Sequence, residues 1–444
     1  MSFALCPLKT APLNAVVTPP GSKSITNRAL ILAALADTAT VLDGALDSED
    51  TGVMFKALKQ LGLPAEHSPA DRRFTVTGSS AGTFPNKTAD IYVGNSGTTA
   101  RFLTAMLAFT GGNYRIYGKE RMHQRPIKDL VEALKPLGTN IEYENAEGFP
   151  PLHIHPAIPA PQMQRTDGTL TTTVSGSVSS QFLTALLLAS PLAARRSDIE
   201  IRLTGELVSK PYIEMTLRMM QSFGATYENT AFDGGFDSFT FRRGVPYQSP
   251  GIYAVEPDAS AASYFFAAAA VCGGSVTVPG LSRNSLQGDV AFADCLAQMN
   301  CDVRWNNDSI TVSRPVDRPL RGICVDMNSI SDTAQTLAVA ALFAEGTTEI
   351  TNIEHVRFKE TDRIAALAAE LRRFGAIVEE RRDGLKITPP SAAPPEWVTV
   401  QTYDDHRMAM SFAVAGLKIP GVQIADPECT QKTFPNFFAE LAAL

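Results

Sequence analysis

The sequence predicts an α/β protein of about two domains, assembled from six copies of one helix–strand unit. The first sign is a recurring ending. Amphipathic runs close as "LKQLGLPAEH" at Gly62, "LKPLGTNIEY" at Gly138, "MQSFGATYEN" at Gly224, "LAQMNCDVRW" at Asn300 and "LRRFGAIVEE" at Gly375. These runs recur roughly every 80 residues, the spacing expected of an internal repeat. Glycine or asparagine there supplies the left-handed residue that stops a helix. The alternating stretch that follows suits a strand. A sixth run, "TFPNFFAELAAL", lies at the C-terminus.

The second sign is an interleaved series of apolar helices. It reads "SITNRALILAALA", "TTARFLTAMLAF", "SSQFLTALLLAS", "SAASYFFAAAAVCG", "DTAQTLAVAALFAEG" and "DHRMAMSFAVAGL". Beyond the first turn these helices have almost no polar face, so their bodies are predicted to be buried.

Composition sets the outer bounds. A chain of 444 residues can bury a large core, and 44% hydrophobic with 19% charged residues is ordinary for a soluble globular protein. A net charge of −7 argues against a nucleic-acid surface made by bulk charge, so any anion site must be local. Cys6, Cys272, Cys295, Cys301, Cys324 and Cys429 form no CxxC pair and no zinc-ligand spacing. They read as free thiols of a reducing cytoplasm. The N-terminus "MSFALCPLKTAPL" does not have the form of a signal peptide. The apolar stretches near 182–194 and 264–272 are too short to span a bilayer. The proline-rich "HIHPAIPAPQMQ" and "TPPSAAPPEW" read as loops.

The first turns of the buried helices carry the chemistry. Lys23 and Arg28 flank the first, Arg101 lies in the second, and His406 and Arg407 open the last. A helix N-terminus is already partly positive, so cations collected there point to an anionic ligand. "GSKS" at Gly21 lacks the GxxxxGK spacing of a nucleotide phosphate loop. Asn95, Ser96, Gly97 and Thr98 form a small-residue turn that can bring backbone donors close to a ligand. Pro126 suits a first helical turn, with Arg125 just before it. Ser179, Ser180 and Gln181 describe either a helix cap or a neutral phosphate cradle, and Ser209 and Tyr212 sit at another helix start. Asp332 reads as an N-cap. Lys359, Glu360, Asp362 and Arg363 crowd one helix start, with Lys359 and Arg363 on one face if both are helical. Arg407 has Asp404 and Asp405 as local partners, and Lys432 follows in "CTQKTFP". These residues describe a site for heavily anionic ligands, with carboxylates available for proton transfer.

The motifs "PGSKSITNRA", "GNSGTTARF", "RMHQRPI", "SGSVSSQFLTALL", "VSKPYI", "RFKETDRI" and "YDDHRMAM", in that order over nearly the whole chain, resemble the EPSP synthase family of enolpyruvyl transferases. The resemblance implies a two-domain inside-out α/β barrel of six βαβαββ repeats, three per domain, with the active site in the interdomain cleft. Residues 1–20 and 255–444 would form one domain and residues 21–254 the other. It implies transfer of the enolpyruvyl group of phosphoenolpyruvate to the 5-hydroxyl of shikimate 3-phosphate, with no cofactor and no metal. Shikimate 3-phosphate would meet Lys23, Ser24, Arg28, Ser179, Ser180, Gln181, Ser209, Tyr212, Asp332, His355 and Lys359. Phosphoenolpyruvate would meet Lys23, Asn95, Gly97, Arg125, Gln181, Arg363, Arg407 and Lys432. Asp332, Glu360 and Lys23 would handle protons. A cytoplasmic monomer inhibited by glyphosate is the further expectation, with no nucleic-acid or membrane partner.

Two residues depart from the family pattern. Phe102 stands where many relatives have proline, and His355 stands where asparagine is expected. A His355 in contact with substrate would make affinity vary near pH 6.5. Two other readings are a UDP-N-acetylglucosamine enolpyruvyl transferase, disfavoured because no cysteine sits in the required context, and a non-catalytic anion-binding repeat protein.

Overall fold

The computed structural model describes residues 2–156, 168–195, 197–230, 236–392 and 396–444. Most of the first proline-rich stretch (157–167) and part of the second (393–395) lie outside the described residues. The flanks that are described are strands: Leu152–His155 takes in "HIH", and Gly384–Thr388 ends at the threonine of "TPP".

The chain divides into two units, residues 21–255 and residues 1–20 with 256–444. The central unit holds α1 (Lys23–Ala34), α2 (Glu49–Gln60), α3 (Gly97–Leu107), α4 (Lys128–Leu134), α5 (Ser180–Ala193) and α6 (Lys210–Ser222). The discontinuous unit holds α7 (Ala259–Cys272), α8 (Phe292–Gln298), α9 (Ala334–Ala340), α10 (Arg363–Arg373), α11 (His406–Gly416) and α12 (Phe437–Ala443).

Both are mixed α/β. Among the described residues, five four-stranded sheets share one plan, in which a parallel pair is extended by two antiparallel strands. Parallel neighbours need a crossover, and the apolar helices supply it. Thus α3 links Thr88–Tyr92 to Asn113–Tyr117, α5 links Leu170–Ser175 to Ile199–Thr204, and α9 links Cys324–Asp326 to Thr348–Thr351. In two sheets the parallel partner comes from elsewhere in the sequence. Ala39–Asp43 pairs with Ile252–Ala254, and Gly274–Pro279 pairs with Leu13–Val16. Val255 belongs with the central unit, where its amide donates to the Asp43 carbonyl at 2.8 Å. A three-stranded sheet joins Val398–Val400 and Val422–Ala425 in parallel, crossed by α11, and adds Phe3–Leu5 antiparallel.

The apolar helices are core throughout: every residue of α3, α7 and α11 is buried. That burial, rather than propensity, holds such short helices together. Each helix stop adopts the left-handed conformation that its residue type allows: φ is +83° at Gly62, +85° at Gly138, +75° at Gly224, +78° at Asn300 and +85° at Gly375. Among the described residues, no helix is long and apolar enough to cross a membrane.

One stability prediction comes from these stops. The space around Gly375 is adequate, since an added Cβ would lie 3.4 Å from Pro390 Cβ. The penalty of Gly375→Ala is therefore conformational, about 1–2 kcal/mol. It should appear as a lower urea midpoint at unchanged slope.

Candidate active site

The six apolar helices share an electrostatic anomaly: none has an acid in its first turn. In the central unit the caps are neutral as well. Ser22, Ser96 and Ser179 each accept a backbone N–H at the start of α1, α3 and α5. A serine cap satisfies the backbone without cancelling the positive end of the helix. In the discontinuous unit, Asp258, Asp362 and Asp405 cap α7, α10 and α11 instead.

Around those neutral caps the central unit gathers its predicted residues. Lys23 and Ser24 are the first two residues of α1. One turn on, Arg28 is buried, donating to Thr216 Oγ1 at 2.8 Å, the Ser24 carbonyl at 2.9 Å and the Tyr212 carbonyl at 3.4 Å. Its guanidinium also lies over the rings of Phe102 and Tyr212. Burial lowers it to about 10, with Tyr212 and Tyr253 pushing back, so it stays charged at neutral pH. Arg28 thus braces α1 against α3 and α6, and Phe102 is the aromatic face it rests on. Ser209 begins α6 in the left-handed conformation, with φ +54°. Ser180 follows the Ser179 cap of α5, and Gln181 Nε2 reaches Thr98 Oγ1 on α3 at 3.4 Å.

Two further guanidiniums meet at Gly97, the first residue of α3. Arg125 donates to the Asn95 carbonyl at 2.8 Å and to Asn95 Oδ1 at 3.2 Å. Arg101 donates to the Gly97 carbonyl at 3.1 Å and the Pro126 carbonyl at 2.7 Å. A Cβ on Gly97 would stand 2.5 Å from Arg125 Nη2 and 2.6 Å from Arg101 Nη1. Only glycine leaves both cations in place.

The discontinuous unit builds a denser array. Asp332 receives Lys359 Nζ at 2.5 Å, Arg407 Nη2 at 2.8 Å and Arg363 Nη1 at 3.2 Å. Arg363 is almost fully buried and sends Nη2 to Glu360 at 2.9 Å and Nε to Asp405 at 2.8 Å. Lys432 Nζ lies 3.1 Å from the other oxygen of Glu360. One guanidinium therefore touches three carboxylates, two of them the proton-handling candidates. Burial pulls Arg363 down, but Asp405, Glu360 and Asp332 together hold it above the ordinary arginine range. Burial lowers the Lys359 ammonium, partly offset by Asp332.

The geometry corrects several expectations. Asp332 caps no helix: it lies in the 3₁₀ turn Asn328–Thr333, and the next helix has no side-chain cap. Lys359 follows a separate 3₁₀ turn, Glu354–Phe358, so it does not share a helical face with Arg363. The two converge because both seek Asp332. Pro126 precedes the first turn of α4, which starts at Lys128. Asp405 pairs with Arg363, leaving Arg407 to Asp332. His355 is buried, with Nε2 2.8 Å from Ser331 Oγ. Burial first, then Lys359, pushes it down to about 3, so it does not titrate near pH 6.5.

Sequence reasoning missed Ser260 and Asp289. Ser260 Oγ accepts from Arg407 at 3.4 Å and donates to the Asp289 carboxylate, which burial and Asp332 raise to about 6. Nothing local marks either residue, since their link to Arg407 spans most of the discontinuous unit. Cys6, Cys272, Cys295 and Cys301 are buried, and burial raises their thiols to about 11–12, which suits core residues rather than nucleophiles. Among the described residues, no group of three or more His, Cys, Asp or Glu could hold a metal ion.

Each unit thus gathers buried cations near its helix starts, and in the discontinuous unit they surround Asp332 and Glu360. Comparison makes the class specific. The profile of EPSP synthase (3-phosphoshikimate 1-carboxyvinyltransferase) matches residues 8–441, and the chain belongs to that family. A 3-phosphoshikimate 1-carboxyvinyltransferase of Laribacter hongkongensis (strain HLHK9) is 49% identical over 434 residues, covering 98% of this chain and 97% of the relative. One from Cupriavidus necator is 50% identical over 448 residues, covering 100% and 99%. Among solved structures, an EPSP synthase from Acinetobacter baumannii superposes with a TM-score of 0.77 at 25% identity, over 99% of this chain and 97% of that one.

His355 provides a test. Its unfolded value is about 6.5 and its folded value about 3. The unfolded chain therefore binds the extra proton between those values, and stability falls as pH drops through that window. His355→Asn should flatten this acid-side loss in denaturant titrations. Substrate affinity at pH 6 and pH 8 should differ no more in the parent than in the variant.

Proposed function

We propose that this chain transfers the enolpyruvyl group of phosphoenolpyruvate to the 5-hydroxyl of shikimate 3-phosphate, giving 5-enolpyruvylshikimate 3-phosphate and phosphate in the shikimate pathway. In a chain of this family, the observation that carries the reading is the buried Arg363 between Asp332 and Glu360. Glu360 protonates the methylene carbon of phosphoenolpyruvate, which makes C2 electrophilic. The 5-hydroxyl oxygen bonds to C2 as Asp332 takes its proton. In the tetrahedral adduct the bond from C2 to the phosphate oxygen then breaks, and a proton leaves the methyl group to restore the methylene. Lys23 shares in the proton handling.

Binding follows the charge. Lys23, Asn95, Gly97, Arg125, Gln181, Arg363, Arg407 and Lys432 take phosphoenolpyruvate. Lys23, Ser24, Arg28, Ser179, Ser180, Gln181, Ser209, Tyr212, Asp332, His355 and Lys359 take shikimate 3-phosphate. Neutral serine caps favour the phosphates electrostatically. Each cation that a substrate draws from Asp332 or Glu360 leaves that carboxylate freer to exchange a proton. The finer architecture is an inside-out barrel of six βαβαββ repeats, three per domain, a reading the shared plan of the sheets supports. The enzyme works as a cytoplasmic monomer without cofactor.

A coupled phosphate-release assay with both substrates tests the reaction. Asp332→Ala and Glu360→Ala should each lower kcat about 100- to 10,000-fold with much smaller changes in KM. Near-parental turnover in either variant removes that residue from the mechanism.

Glyphosate is the expected inhibitor at the phosphoenolpyruvate position and is longer than that substrate. Gly97→Ala displaces Arg125 and Arg101, and overpacking of this kind costs about 1–3 kcal/mol. The inhibitor should lose more affinity than phosphoenolpyruvate. Equal inhibition of parent and variant would place the inhibitor away from Gly97.

A further inference from the structure

Glu370 lies seven residues beyond Arg363 on α10, two helical turns along the same face. It is nearly fully buried, yet no proton-transfer or binding step uses it. Both of its oxygens face the segment that leads into α11. Oε2 accepts the Gln401 amide at 3.1 Å, and Oε1 accepts the Tyr403 hydroxyl at 2.8 Å. Arg373 stands 3.5 Å from Oε2.

At the second of those contacts the backbone is strained. Tyr403 and Asp404 are consecutive non-glycine residues in the left-handed region, with φ +56° and +54°. Such a pair persists only where its surroundings over-determine it. The turn closes with the Asp405 amide donating to the Thr402 carbonyl at 2.9 Å. It delivers Asp405 to Arg363 and, two residues on, Arg407 to Asp332. The α10 helix thus grips this segment twice, through Arg363 at one end and Glu370 at the other.

We propose that Glu370 is a positioning residue: its carboxylate holds the left-handed Tyr403–Asp404 turn and so sets Asp405 and Arg407 against Arg363 and Asp332. The consequence for catalysis rests on the reading above, in which Arg363 and Arg407 meet phosphoenolpyruvate.

Glu370→Gln tests this, because the amide keeps only one acceptor oxygen for the Gln401 amide and the Tyr403 hydroxyl, turns a nitrogen donor toward the other, and loses the charge that faces Arg373. The KM for phosphoenolpyruvate should rise about tenfold, as small misplacements of binding groups do, while the KM for shikimate 3-phosphate stays within about twofold. Adding Asp404→Gly, which adopts positive φ freely, should recover most of the loss. An unchanged KM for phosphoenolpyruvate where Arg363→Ala raises it, a parallel rise in both KM values, or no recovery with Asp404→Gly overturns the proposal. If Glu370→Gln does not fold, Tyr403→Phe decides by the same ratio of KM values. A crystal structure of the variant separates the two layers of the argument. A turn that stays in place overturns the positioning role whatever the kinetics. A displaced turn, together with an unchanged KM for phosphoenolpyruvate in Arg363→Ala, overturns the substrate assignment instead.

Discussion

A single buried guanidinium organises the charged array of the discontinuous unit. Arg363 is about 1% exposed and is held by Asp332, Glu360 and Asp405, which come from three separate segments of the chain. Desolvating a charge is costly, and removing one partner from such a pair typically costs about 3–5 kcal/mol. Three carboxylates make the burial tolerable, but they surround Arg363 with more negative charge than it neutralises. Lys359, Arg407 and Lys432 correct the excess. The cations that suit an anionic substrate are thus also what the fold needs to keep its own carboxylates in place.

The two units solve the anion problem differently. Serine caps on α1, α3 and α5 leave the backbone dipoles of the central unit uncompensated. Aspartate caps on α7, α10 and α11 compensate theirs, and the cations there lie among carboxylates. A dipole fixed in a helix does not move a proton, whereas a side-chain ion pair can be exchanged.

Much of this was legible in the sequence because it is local. A left-handed stop after an amphipathic run is written in one residue, and φ at Gly62, Gly138, Gly224, Asn300 and Gly375 follows from residue type. The apolar helices with cations in their first turns were legible for the same reason. Pairings were not. Asp405 lies 42 residues from Arg363, and proximity in sequence favoured Arg407 as its partner. Asp332 resembles a cap because caps are the usual work of an aspartate before a helix, and only the three-dimensional convergence of Lys359, Arg363 and Arg407 assigns it otherwise. His355 stands out in sequence only as a departure from the expected asparagine, and its burial, with Lys359 nearby, removes it from the physiological pH range.

The strand that starts one sheet can come from far away in the chain, and this sets an order of assembly on the ribosome. The central unit contains its own closing strand, Ile252–Ala254, so its strand pairings need nothing made after residue 255. Leu13–Val16 must wait for Gly274–Pro279, and Phe3–Leu5 must wait for Val422–Ala425. At about 5–20 residues per second, Phe3–Leu5 waits on the order of tens of seconds for its partner. Its sequence is suited to that interval: Phe3–Leu5 is a short strand, and Pro7 and Pro12 interrupt the stretch between it and Leu13–Val16, which limits the extended edge on offer to other nascent chains.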